Sequence, residues 1–212
     1  MPKINYLKTI LIMAITLITS PSLPAQSISV RASFGVVDLP LSDWSKFFSG
    51  QSNSFYVKNN PNLYYALSFH YPINTNHSIS VGTELIRTSA LLTDPIVTVD
   101  WRFHGIPITL GYEYRTMTFN ERFTPVVGAG VSYFFSQVNA KDHFFNQTST
   151  RTGNGYGIHA SLGLISQLTT TLSFISQGRY RYSDGMAFSG SKNDIKVQFS
   201  GFDFSIGLAW DF

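Results

Sequence analysis

The sequence predicts an all-β chain that closes into an eight-stranded, antiparallel, up-and-down transmembrane β-barrel. Three observations predict it. Eight segments alternate apolar residues with small or polar ones at a period of two, the pattern of half-buried strands. The connections between them alternate between short and long. Aromatic residues reach 15% while charged residues stay at 13%, yet no stretch after residue 25 is long and apolar enough for a membrane-spanning helix.

The first 25 residues stand apart from this rhythm. Lys3 and Lys8 flank a basic start, TILIMAITLI is an apolar stretch, and Leu23-Pro24-Ala25 offers a small residue at the cut. This is the layout of a secretory signal peptide. Ser20 and Pro21 interrupt the run before it reaches the roughly 20 apolar residues that an anchor helix needs. Residues 26–212 are then one domain. Without Lys3 and Lys8 the fifteen basic residues become thirteen, against twelve acidic ones. A near-neutral exported chain carries no nucleic-acid footprint. The absence of Cys excludes a disulfide scaffold, thiol chemistry and Cys-based metal sites.

The first segment, SISVRASFGVV, sets Ile28, Val30, Ala32, Phe34 and Val36 against Ser29, Arg31, Ser33 and Gly35. The second, LYYALSFHYPI, opposes Leu63, Tyr65, Leu67, Phe69, Tyr71 and Ile73 to Tyr64, Ala66, Ser68 and His70. In the third, SISVGTELI, the apolar Ile79, Val81 and Leu85 face away from Ser80, Gly82 and Glu84. The fourth, IPITLGYEYR, separates Ile106, Ile108, Leu110, Tyr112 and Tyr114 from Thr109, Gly111, Glu113 and Arg115.

The fifth has Val127, Ala129, Val131, Tyr133 and Phe135 opposite Gly128, Gly130, Ser132 and Ser136. The sixth has Tyr156, Ile158, Ala160, Leu162 and Leu164 opposite Gly157, His159, Ser161 and Gly163. The seventh is rougher, with Leu172, Phe174, Tyr180 and Tyr182 against Ser173, Gln177, Arg179 and Arg181. The eighth, GFDFSIGLAWDF, puts every apolar residue from Phe202 to Phe212 on even positions.

Residues 74–77, 116–122 and 169–171 are short connections, whereas 37–62, 138–154 and 183–196 are long and rich in Ser, Asn, Gly, Asp and Lys. Short periplasmic turns and longer external loops are the habit of membrane barrels. After Thr93-Asp94-Pro95 the run VTVDWRF alternates on odd positions, and past Gly105 the apolar residues move to even ones. The parity shift predicts a bulge at Gly105, with the third and fourth strands continuing past the membrane as a protruding hairpin.

Alternation alone does not say which face meets which solvent; a water-soluble barrel would turn the apolar face inward. The polar face here is dominated by Gly, Ser and Ala, which suits the tight interior of eight strands. Aromatics on the apolar face gather at strand ends: Tyr71, Tyr112, Tyr114, Trp210 and Phe212 at one rim, and Tyr65, Tyr133, Phe135, Tyr156, Tyr180 and Tyr182 at the other. Two aromatic girdles around an aliphatic band match the two bilayer interfaces, so the apolar face is read as lipid-facing.

With SISVRASFGV, IPITLGYEYR, VVGAGVSYFFS and SGFDFSIGLAWDF, the whole chain from residue 26 resembles the small eight-stranded outer-membrane β-barrel family, the OmpA/OmpX-type barrels. Ser205, Gly207, Trp210 and Phe212 resemble the C-terminal assembly signal of such barrels. The resemblance implies a place in the cell outer membrane, contact with its lipid and lipopolysaccharide, and handover to the barrel-assembly machinery. A monomer is the default expectation, no cofactor is implied, and charge and export together argue against a nucleic-acid partner. Family membership does not fix function, because structural, adhesive and enzymatic roles share the fold.

By parity, Arg31, Glu84, Glu113, Arg115, Arg179, Arg181 and Asp203 face the lumen, where charges of both signs are expected to pair as a network. Pair exchange in that network would make a small gated pore. His159-Ala160-Ser161 resembles the His-x-Ser of the lipid A 3-O-deacylase barrels, but no Glu follows Glu121 and both side chains lie on the small, polar face. A hydrolase acting on lipid A is therefore the weaker expectation, and a non-enzymatic structural, adhesive or surface-interaction role the stronger one. The five His residues show no metal-ligand spacing. Exposed aromatics beside charges in residues 42–48 and 142–147 suit loop contacts with a surface.

Overall fold

The computed structural model describes residues 28–38, 56–59, 62–93, 98–120, 122–142, 147–188, 195–197 and 200–212. The signal-peptide segment 1–25, the loop segment 42–48 and residues 143–146 lie outside the described residues. The strands are β1 (Ser29–Asp38), β2 (Tyr56–Asn59), β3 (Asn62–Pro72), β4 (His77–Thr93), β5 (Thr98–Arg115), β6 (Phe123–Asp142), β7 (Gln147–Gln167), β8 (Leu172–Phe188), β9 (Ile195–Val197) and β10 (Gly201–Asp211).

Eight of them, all but the short β2 and β9, form the wall, each antiparallel to its neighbours. The wall closes because β10 pairs with β8 on one side and β1 on the other. Every wall strand thus has both edges paired, which lets the backbone enter a bilayer without orphaned N–H and C=O groups. No described helix is long and apolar enough to cross a membrane; the chain crosses with strands.

Followed across the strands, Pro72 pairs with Ser78, and the row continues through Glu113, Gly128, Ser161, Arg179, Asp203 and Val37 to Asn62, on the strand where it began. The circuit returns ten residues from its start. Such a stagger goes with a strand tilt of roughly 35–45° and a lumen just wide enough to be filled by side chains.

The short turns are built by their polar residues. Asn74 Oδ1 accepts from the backbone N–H of Asn76 and of His77, both at 2.9 Å. Thr169 Oγ1 accepts from the Leu172 N–H at 3.0 Å. Between β5 and β6, Asn120 takes the left-handed region at φ 49°, which Asn tolerates well. The first and last described residues meet at this same end, where the Phe212 N–H donates to the Ile28 carbonyl at 3.0 Å.

The even-position face of β10 and its counterparts around the wall point outward. Among the described residues thirty-two large apolar side chains are exposed, with Leu110 and Val131 at 53% and Leu162 at 67%. Soluble monomers rarely expose contiguous apolar patches beyond a few hundred Å², so this exterior is one for lipid. Tyr133 packs edge-on against Phe135 at 4.8 Å and against Tyr156 at 4.9 Å. At the short-turn end Trp210 stacks on Phe212 at 6.2 Å, and His77 Nδ1 hydrogen-bonds the Tyr112 hydroxyl.

Three expectations change. The β4–β5 ladder keeps one register from His77↔Tyr114 to Thr93↔Thr98, so no bulge interrupts it at Gly105. The parity shift instead records a change of what fills the lumen: Phe103 points inward, 3% exposed, and covers Gly105, whose missing Cβ would lie 2.9 Å from the Phe103 ring. A register irregularity occurs between Asn154 and Tyr156, where β7 meets β8.

Second, much of the long connections is strand. β6 runs to Asp142, β7 starts at Gln147 and β8 reaches Phe188; β2 and β9 occupy further parts. Third, the paired extension is wider than a hairpin. The β5–β6 and β6–β7 ladders reach Val99↔Asp142 and Asp142↔Gln147, so β4 to β7 continue together as a four-strand wall. At the start of β7 the successive residues Thr148, Ser149 and Thr150 are all exposed, so apolar alternation disappears there and only backbone pairing marks the strand.

Candidate functional site

The lumen is layered, and β-strand parity places each layer. At the short-turn end Arg31 of β1, His70 of β3, and Glu113 and Arg115 of β5 converge. Arg31 grips Glu113 in a two-pronged pair, Nη1 to Oε2 at 2.6 Å and Nη2 to Oε1 at 2.7 Å. Arg115 Nε makes a longer contact to Glu113 Oε1 at 3.4 Å. His70 Nε2 lies 3.0 Å from Ser68 Oγ, and its Nδ1 faces Glu113 at 4.0 Å. Two guanidiniums on one carboxylate leave this layer a net positive charge.

Further along the lumen Glu84 of β4, Arg179 and Arg181 of β8 and Asp203 of β10 form a second, balanced layer. Arg181 Nη2 donates to Asp203 Oδ2 at 2.7 Å and to Glu84 Oε2 at 3.0 Å. Arg179 Nε reaches Asp203 Oδ2 at 3.0 Å and its Nη1 donates to Glu84 Oε1. Tyr64 completes the layer: its hydroxyl donates to Asp203 Oδ1 at 2.9 Å. Its ring lies 5.5 Å from the Arg179 guanidinium carbon and 5.7 Å from that of Arg181. Buried charges endure only when matched this closely, because desolvation otherwise exceeds their attraction.

Between the two layers lies a chamber of about 80 Å³, reaching from Glu113 and His70 to Glu84 and Arg179 past Ser80, Gly82 and Ser161. Beyond the second layer, towards the outer wall, Ile86, Phe103, Phe134 and Val138 are buried and make an apolar plug. Val126, Ile175 and Ala209 are the buried apolar residues of the short-turn end.

All seven charges assigned to the lumen by parity occupy these two layers. The sequence reading omitted Tyr64 and His70. Both stood on the inward face of their segment, and a search for charged partners passes over neutral side chains that bond to charged ones. It also missed the plug, since inward apolar residues break the alternation that finds strands.

His159 and Ser161 point into the chamber, not towards lipid. Among the described residues no group of three His, Asp or Glu side chains is placed to hold a metal ion. In β10, Ser205 is buried at 3% exposure and Trp210 is exposed, as is Phe212 just past the strand. Gly207 sits against β1, where a Cβ would come within 2.3 Å of the Ala32 carbonyl oxygen. Three of the four residues of the terminal pattern therefore lie on the strand that closes the barrel, and Phe212 follows it directly.

No family model and no curated protein sequence matches the chain. Solved structures do. The outer membrane protein OprG from Pseudomonas aeruginosa matches with a TM-score of 0.58 at 16% identity, over 89% of this chain and 96% of that one. A major outer membrane protein from Thermus thermophilus matches at 0.57 and 12% identity, over 89% and 100%. The outer membrane protease OmpT from Escherichia coli matches at 0.52 and 8% identity, over 92% and 99%. At these identities the likeness is one of fold. By its closed wall and lipid-facing surface the chain is an eight-stranded transmembrane β-barrel, and its fold is that of these outer membrane proteins.

Proposed function

We propose that this protein is a non-enzymatic surface-interaction protein, a monomeric barrel whose sealed body holds a four-strand wall outside the outer membrane. The observation that carries the reading is the division of the strands: eight close around a lumen filled by ion pairs, and β4 to β7 continue as a paired sheet. A filled lumen argues against a standing pore. The hydrolase reading needs a nucleophile and base within reach of lipid, whereas His159 and Ser161 are turned into the chamber. During biogenesis Ser205, Gly207, Trp210 and Phe212 would be read by the barrel-assembly machinery.

Replacing residues 89–102 by a tight turn tests the proposal. Cells carrying the full chain are expected to show an adhesion or autoaggregation phenotype that the shortened chain lacks, with the heat-modifiable barrel intact in both. Indistinguishable cells would refute the surface role. Release of fatty acid from lipid A by the purified protein would favour the hydrolase.

A further inference from the structure

The charges of the two lumen layers do not cancel. Arg31, Arg115, Arg179 and Arg181 stand against Glu84, Glu113 and Asp203, which sets four guanidiniums on three carboxylates. The imidazoles of His70 and His159 can only add to this excess. Arg115 is the most exposed of the seven at 29%, and the other six side chains are each at most 11% exposed. Asp211, two residues beyond the buried Ala209, belongs to the rim and to neither layer. A net charge in a closed, poorly polarisable space is costly unless a counterion joins it.

The chamber between the layers is shaped to receive one. Its volume of about 80 Å³ is room for a small ion with a few waters. Glycines keep it open: Ser80, Gly111, Gly130 and His159 follow one another in a single row across β4 to β7. A Cβ on Gly111 would come within 2.6 Å of Ser80 Oγ, and one on Gly130 within 2.6 Å of the His159 ring. Both carboxylates that line the chamber are already engaged, Glu113 by Arg31 through both oxygens and Glu84 by Arg179 and Arg181. Beside them the lining offers donors: the hydroxyls of Ser80 and Ser161, the Gln177 amide and the Arg179 guanidinium. His70 lines the chamber beside the first layer, and His159, paired with Arg181, beside the second. The Nδ1 atom of each is buried without a hydrogen-bond partner; that of His70 is 4.0 Å from Glu113, too far for one. Unmatched buried groups around a polar cavity call for an occupant.

We propose that the chamber is a binding site for a small monovalent inorganic anion, a halide, held by Arg179 and the hydroxyls of Ser80 and Ser161. The single unit of excess charge sets the valence: a divalent anion would reverse the imbalance, and a cation would enlarge it. Water alone would satisfy the imidazoles and leave the charge. The ion enters from the short-turn mouth, where Arg115 is part-exposed, because Ile86, Phe103, Phe134 and Val138 shut the other end. The inference rests on the filled lumen and is independent of the adhesive role.

The test is to soak crystals of the folded protein in bromide, located by its anomalous scattering, with rubidium as the matching cation. One bromide between the two charged layers is expected, and no rubidium there. In detergent solution the protein should broaden the NMR line of chloride, and bromide should displace the bound chloride saturably. Arg115→Gln should weaken this binding roughly tenfold, the order expected of one unit charge acting through a protein interior, whereas Arg115→Lys keeps the charge and the affinity. Ser161→Ala leaves every charge in place and should also weaken binding about tenfold, the worth of one hydrogen bond to an ion. A heat-modifiable band confirms the fold of each variant, and the bromide position in the unaltered protein decides by itself should a variant fail to fold. Water alone in the chamber, rubidium in place of bromide, a bromide seen only at molar concentration (an adventitious ion only), or equal affinity in Arg115→Gln would overturn the proposal.

Discussion

Arg31 and Glu113 are each less than a tenth exposed and meet through two short bonds. Removing one leaves the other buried and unmatched, which costs about 3–5 kcal/mol in comparable pairs. Glu113→Gln should therefore lower the urea midpoint of the folded barrel markedly. Arg31→Met combined with Glu113→Leu should recover most of the loss, since it removes both charges together. A double variant as unstable as the single one would show that the pair is not the unit of stability. The inward position of these residues was legible in the sequence because parity is a property of each strand alone. Their partners were not: Arg31 and Glu113 lie 82 residues apart, and only the register of the closed wall brings them together.

At the scale of the element, Gly105 and Phe103 explain an apparent defect in β5. The ring fills the space a Gly105 side chain would need, so Gly105→Ala should destabilise the barrel by about 1–3 kcal/mol, the usual cost of overpacking. Phe103→Leu in the same chain should relieve it, giving a double variant less unstable than the two single losses summed. Strand ends were the least legible feature. Thr148, Thr150 and Thr152 lie in strand β7, yet a run of Ser, Thr and Asn with no apolar face reads as loop. Hydrogen exchange decides this directly: the amides of Arg102 and His104, paired between β4 and β6, should exchange far more slowly than those of Met117 and Thr118 in the β5–β6 connection. Equal rates would mean the wall does not persist in solution.

The whole molecule follows from a single decision, the direction in which the apolar face points. That decision was legible because Gly, Ser and Ala fill one face and aromatic girdles bound the other; an eight-stranded lumen accepts only the first, and the bilayer interfaces favour the second. The plug and the two charged layers needed the closed structure. With both layers and the plug in place, the purified protein in a planar bilayer should show no steady conductance at moderate voltage. Sustained channels would mean that the layers part. The most direct test of the lipid-facing assignment is electrophoresis of fractionated cells, comparing unheated with boiled samples. A band in the outer-membrane fraction that shifts on heating is expected, because a fully paired closed wall resists detergent until it is melted. A protein found in the soluble fraction, with no shift, would contradict the assignment of the aromatic face to lipid and with it the barrel described above.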